Sequence, residues 1–278
     1  MIQFSNEKVT VFQSILFQTT STVIQLEDLI LVVDPNWLPH EIQEIKDHVD
    51  AVKGDKPCYL LFTHADYDHI IGYKAFPGAK IIGSAGLANY PEKEHKLKLI
   101  RNFDATYYVT RDYPIEFPEL DIVIGEDGQR VAIGSTTLTF YLAPGHTEDG
   151  LFTVIDSAGV FVAGDYLSDF ELPFIYHSAR AYEQTIRKAE QILQDHPVQL
   201  LIPGHGQHTT SRAEMDRRVN MALDHLKRMK QAILANDEQA LEQLKLEHGF
   251  LSDTTAECHK DNVKIMRQEL LEETAKEV

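Results

Sequence analysis

The chain has 278 residues, 43% hydrophobic and 25% charged, enough apolar material for one large domain or a core with an appendage. With 26 Lys and Arg against 43 Asp and Glu its formal charge is −17, a field that repels phosphate backbones and anionic membrane surfaces and so argues against nucleic-acid and membrane partners. Cys58 and Cys258 are too far apart in sequence to suggest a disulfide framework and suit a reducing compartment. No apolar run approaches the ~20 residues of a membrane span. The opening MIQFSNEKVTVF lacks the basic-then-apolar pattern of an export signal. The expectation is a cytoplasmic protein acting on a small molecule.

In chain order, VFQSILFQ (11–18), STVIQL (21–26) and DLILVVD (28–34) are predicted as successive strands, the last stopped by Asp34-Pro35-Asn36. CYLLFT (58–63), AKII (79–82) and DIVI (121–124) are short apolar runs of the buried-strand kind. TTLTFYLAP (136–144) predicts a strand, and LFTVID and VFVAGD predict a hairpin turning at Ser157-Ala158-Gly159. A helix is expected over 182–194, where Tyr182, Ile186, Ala189 and Leu193 share a face, and VQLLIP (198–203) reads as another strand. Recurring strand and helix signals indicate layered α/β packing. From Ser211 the texture is helical: Val219, Ala222, Leu226, Met229 and Ile233 keep helical spacing, and capping residues at 252–255 precede a last helix with Val263, Met266 and Leu270.

Four short segments carry the chemistry: His64-Ala65-Asp66-Tyr67-Asp68-His69, Pro144-Gly145-His146-Thr147, Ala163-Gly164-Asp165-Tyr166 and Pro203-Gly204-His205-Gly206. Each follows a strand-like run, which places it in a loop held by a rigid sheet. Imidazoles and carboxylates are donors for Zn, Fe or Mn. Gathering several carboxylates and imidazoles is costly unless a cation compensates.

The order of these segments resembles the metallo-β-lactamase superfamily, whose signature is His-x-His-x-Asp-His followed by His, Asp and His. The resemblance spans roughly residues 10–210. It implies an α/β fold, a four-layer αβ/βα sandwich, with residues 1–210 as the catalytic domain; the helical texture of 211–278 reads as a C-terminal extension packed on that domain, with a homodimer through the C-terminal helices as the alternative role. It also implies a dinuclear site where a metal-bridging hydroxide attacks an ester, thioester, lactone, amide or phosphate bond. Carried over by position, His64, Asp66 and His146 hold the first metal, Asp68, His69 and His205 the second, and Asp165 bridges both. Asp68 is also expected to relay a proton to the leaving group.

One position departs from the signature. Asp66 stands where the family has its second histidine, adding a negative charge and a harder donor. Two divalent metal ions per chain are expected, zinc or, favoured by the extra oxygen ligand, iron or manganese. A glutamate at the same place occurs in flavodiiron proteins, so a di-iron oxidoreductase is one alternative; a non-catalytic metal-bound scaffold is another. Tyr166, Ser168, Asp169 and His177 are expected to line the pocket. Ser168 stands where acyl-homoserine lactonases carry a tyrosine, which weakens a lactonase reading. His208 reads as a loop residue, His259 and Asn262 as packing or solvent-exposed residues with closure over the site as the alternative, and Asp34 as a turn former with a second possibility, a partner that orients a ligand histidine. Neither cysteine looks catalytic. The substrate depends on loop shapes that motifs do not encode.

Overall fold

Side-chain alternation along the strands builds two sheets that pack face to face. The computed structural model describes residues 1–247 and 249–276. The first sheet runs in the order β1 (Ile2–Ser5), β2 (Val9–Gln13), β3 (Thr20–Gln25), β4 (Ile30–Val33), β5 (Cys58–Leu61), β6 (Lys80–Ser84) and β7 (Ile122–Ile124), antiparallel up to β4 and parallel from there. The second contains β8 (Gln129–Ile133), β9 (Thr136–Leu142), β10 (Leu151–Ile155), β11 (Val160–Val162) and β12 (Leu200–Ile202), antiparallel except for the β11–β12 pair.

The two faces of each central strand serve different cores. Leu31, Val33 and Leu61 point between the sheets, where they meet Phe140, Leu151 and Val160. Ile30, Val32 and Leu60 point outward and are covered by Ile42 and Ile45 of α1 (Pro39–Val52) and by other helical residues; α2 (Tyr67–Ile70), α3 (Ala85–Ala88) and α4 (Lys93–Tyr107) follow on this side, α4 contributing Leu97 and Ile100. Phe152, Val154, Phe161 and Leu201 form the outer face of the second sheet beneath α5 (Ala179–Asp195). That same core contains Met215, Val219 and Leu226 of α6 (Arg212–Ala235), Leu241 of α7 (Glu238–Lys245) and Met266 of α8 (Asp253–Lys276). The result is the four-layer αβ/βα sandwich with a helical C-terminal region.

Local chemistry sets where the later helices begin. Ser178 accepts a hydrogen bond from Ala181 N at 3.1 Å and opens α5, whose expected apolar face of Tyr182, Ile186, Ala189 and Leu193 is buried. Ser211 does the same for α6 through Glu214 N at 3.4 Å.

Residues 11–18 depart from the expected continuous strand. β2 stops at Gln13, and Phe17 and Gln18 take left-handed φ angles of 52° and 50°. The reversal is held by Gly206 N donating to Gln18 O at 3.0 Å, and it turns this segment toward the loop that follows β12.

Candidate metal centre

The ligand-type residues lie in the connections that follow β5, β9, β11 and β12, Asp68 and His69 on the short α2, as expected for residues held at one end of a sandwich. Close approach of these loops requires two glycines. A Cβ at Gly204 would lie 2.2 Å from Asp165 Oδ1, and one at Gly145, already at φ 137°, would lie 2.4 Å from Tyr182 Cα.

The seven predicted residues come together in two adjoining groups, His64, Asp66, His146 and Asp165 in one and Asp68, His69 and His205 in the other. Within each group, donor atoms lie within 4.8 Å of one another. Asp165 faces both groups. Its Oδ2 is 3.2 Å from His146 Nε2 and 3.2 Å from His205 Nε2, and its Oδ1 is 3.1 Å from His69 Nε2. Asp66 Oδ2 lies 3.3 Å from His146 Nε2 and 3.7 Å from His64 Nε2. Asp68 Oδ2 is 3.6 Å from the Nε2 atoms of both His69 and His205.

Every one of the four imidazoles is oriented by an acceptor on its outer nitrogen. His69 Nδ1 donates to Asp34 Oδ2 at 2.9 Å, His146 Nδ1 to the Phe174 carbonyl at 2.8 Å, and His205 Nδ1 to the Phe17 carbonyl at 2.9 Å. Thr63 Oγ1 donates its own proton to Asp34 at 2.6 Å, so it accepts from His64 Nδ1 at 3.0 Å. With Nδ1–H pointing outward, the basic Nε2 of each ring faces the carboxylates, the tautomer that metal ligation uses.

The donor set fits divalent cations. His64 Nε2, His146 Nε2 and Asp165 Oδ1 are buried without a hydrogen-bond partner, although opposite charges stand only 3.1–3.7 Å away. In the metal-free protein burial opposes charging each ring, but the surrounding carboxylates prevail: His64, His69 and His146 are raised, and His205 is pushed up to about 10. Burial likewise works against ionising Asp66 and Asp165, yet the facing histidines hold both well below the ordinary carboxylate range. Protons on the inward nitrogens are thus favoured when no cation is bound, and a cation would take their place.

Residues outside the expected set complete the site. Lys96 of α4 pairs with Asp66 Oδ1, leaving Oδ2 for the histidines. The pair sums to zero charge, as does the neutral imidazole that the signature has at this position. Asp34 is the orienting partner of His69, at a left-handed φ of 44° just past β4. Asn262 of α8 accepts from Ile175 N at 2.7 Å and donates to Pro173 O, fixing the segment whose Phe174 carbonyl holds His146. Arg218 of α6 donates to Leu167 O at 3.1 Å and Gln207 O at 2.7 Å, tying down the loops after β11 and β12.

The residues expected to line the pocket are placed otherwise. Tyr166 Oη accepts from His146 N at 2.8 Å and donates to Ala143 O at 2.9 Å. Ser168 Oγ accepts from Glu171 N at 3.2 Å, and Asp169 Oδ1 from Gln207 N at 2.7 Å, while His177 is exposed. All three hydrogen-bonded side chains brace loops. A cavity lined by residues from 15–18, 170–174 and 249–255, with Glu171 among them, contains none of Tyr166, Ser168, Asp169 and His177 and none of the seven ligand-type residues. Burial first, then the charges of Asp165 and Asp68, push the Glu171 carboxyl up to about 7 against the pull of His205 and His146. His208 Nδ1 donates to Gln3 Oε1 at 2.7 Å, away from the ligand set.

Comparison with known proteins agrees with this geometry. The sequence model of the metallo-beta-lactamase superfamily matches residues 15–211. An uncharacterised protein of Mycobacterium leprae, ML0493, is 28% identical over 179 residues, 61% of this chain and 78% of the relative. The metallo-beta-lactamase family protein TTHA1429 from Thermus thermophilus superposes with a TM-score of 0.67 at 14% identity, over 97% of this chain and 95% of that one. The stereoselective inverting sec-alkylsulfatase Pisa1 from Pseudomonas sp. gives 0.70 at 13% identity, covering 96% of this chain and 49% of that one. Sequence match, sandwich and ligand-type cluster coincide, and the chain belongs to the metallo-beta-lactamase superfamily.

Proposed function

We propose that the protein is a metal-dependent hydrolase of a small-molecule ester, thioester, lactone or phosphodiester. The observation that carries this reading is the convergence of four inward-facing Nε2 atoms on three aspartates, with Asp165 in contact with both groups. His64, Asp66 and His146 would hold one cation, Asp68, His69 and His205 a second, with Asp165 shared between them. Bound divalent cations supply Lewis acidity toward a carbonyl or phosphoryl oxygen and make water nucleophilic near neutral pH.

The chain's own residues set the conditions for that chemistry. Asp34, Thr63 and the carbonyls of Phe17 and Phe174 fix the imidazole tautomers, so no ring reorientation is needed during turnover. His146 and His64, with Lys96 behind them, keep Asp66 ionised against its burial, and Lys96 offsets the charge Asp66 adds. Asp68, a member of the second group and 3.4 Å from Thr19 Oγ1, is the carboxylate assigned to proton transfer toward the leaving group. Exhaustive chelation should abolish hydrolysis of generic esters and phosphodiesters, and added Zn or Mn should restore it. Hydrolysis that survives chelation with no metal left in the protein would overturn the proposal.

A further inference from the structure

A cavity of about 310 Å³ adjoins the cluster, between the β2–β3 loop, the segment after Asp165 and the lead-in to α8. Ile15, Phe17, Phe170, Phe174 and Phe250 give it apolar walls, and Phe170 and Phe250 meet edge to face at 5.1 Å. Two of these wall residues sit one hydrogen bond from the ligands, since the Phe17 carbonyl holds His205 and the Phe174 carbonyl holds His146. None of the seven ligand-type residues lines the chamber, but Glu171 in its wall is close enough to feel the charges of His205, Asp165, His146 and Asp68, so a group filling the chamber would lie beside the cluster. Glu171 is the one ionisable side chain among the described residues that line it. Ile15 is 84% exposed, Phe17 50% and Phe250 57%, an apolar surface that an occupant would remove from water.

We propose that this chamber takes the uncharged hydrocarbon or aromatic group of the substrate, so that the enzyme prefers medium-chain or arylalkyl esters over short-chain or carboxylate-bearing ones. The inference rests on the hydrolase reading above for its chemistry, and on the chamber for its selectivity. At ~30 Å³ per water-sized atom, 310 Å³ accommodates roughly ten non-hydrogen atoms. An anionic tail is disfavoured by the Glu171 carboxyl in the wall and by the protein's net charge of −17. The cap of the chamber, Gly249, Phe250, Ser252, Thr254 and Thr255, comes from the C-terminal helical region, which assigns that region a part in choosing the substrate.

The test uses the full chain, metal-loaded, on p-nitrophenyl esters from acetate to dodecanoate, together with calorimetric titration of 1-octanol into metal-loaded and metal-stripped protein. kcat/KM should rise roughly fourfold per methylene until the chamber is full, then level off or fall. Thr254→Phe, which fills the cap, should move the optimum to shorter chains and weaken octanol binding. Phe250→Ala, which opens a wall, should move the optimum to longer chains. Equal rates on acetate and octanoate esters, together with no saturable octanol binding, would overturn the chamber's role while leaving a hydrolase. Faster turnover of carboxylate-tailed esters would overturn it too. A protein that binds octanol in a Thr254-sensitive way yet hydrolyses no ester keeps the apolar site and loses the hydrolase reading instead.

Discussion

Lys96 Nζ pairs with Asp66 Oδ1, so the residue that departs from the superfamily signature carries its own counter-ion. The pair stands in charge, though not in donor type, for the missing imidazole. Asp66→His alone therefore does more than restore the usual ligand. It strands a Lys96 cation, largely enclosed by protein, beside the candidate metal centre. The expected outcome is weaker metal retention in Asp66→His than in Asp66→His/Lys96→Met, with Lys96→Met alone also weakened because the unpaired Asp66 ionises less readily. Competition titration with a chromophoric chelator measures all four proteins. A coupling of roughly 1–3 kcal/mol is expected, and additive effects would contradict the pairing.

Asp34 orients His69 and, through Thr63, His64. Asp34→Asn removes the anion that both partners rely on. Metal affinity should drop roughly 10- to 100-fold with the fold retained, as seen by unchanged far-UV circular dichroism. Unchanged affinity would show that the Asp34 contact is only structural.

Metal uptake should release protons. The carboxylates raise His64, His69 and His146 in the metal-free protein, and His205 to about 10, so the cluster holds protons more readily than free imidazoles do, and a cation displaces them. Calorimetry in two buffers of different ionisation heat should give different apparent enthalpies, and affinity should fall as pH drops from 8 to 6. Identical heats in both buffers would contradict the assignment.

Glu171 gives a stability signature in metal-stripped protein. Its carboxyl is raised from the usual 4.5 to about 7, so the folded state disfavours its charged form. The penalty is absent below about pH 4.5, grows as pH rises toward 7 and is complete above that, reaching on the order of 3 kcal/mol. Glu171→Gln should leave Tm nearly unchanged at pH 4 and raise it by several degrees at pH 8. An equal shift at both pH values would mean the carboxyl is not perturbed.

How far these features are legible in the sequence depends on the kind of atom each one uses. The convergence of His64, Asp66, Asp68, His69, His146, Asp165 and His205 is legible because side chains of the kind metals bind recur just past strand ends, and the sheets bring those ends together. The sandwich follows from apolar runs such as ILVV and CYLL. Phe17 and Phe174 act through backbone carbonyls, which any residue has, so nothing in their identity announces the role. Lys96 reaches Asp66 from α4, a helix that buries only Leu97 and Ile100, and lysines on such amphipathic helices ordinarily face solvent. The expected strand over 11–18 stops at Gln13 because β-propensity does not register the two left-handed residues needed to bring the Phe17 carbonyl to His205. Asn262 reads as packing in the sequence; its amide in fact spans two backbone groups of the loop beside His146.

We propose that seven side chains form one site for two cations, with Asp165 common to both. Elemental analysis of protein equilibrated with Zn or Mn and freed of excess tests it most directly, wild type beside Asp165→Ala. About two metal ions per wild-type chain, and one or none in a folded Asp165→Ala, is the predicted result. No bound metal in the wild type, or full occupancy in the variant, would contradict it.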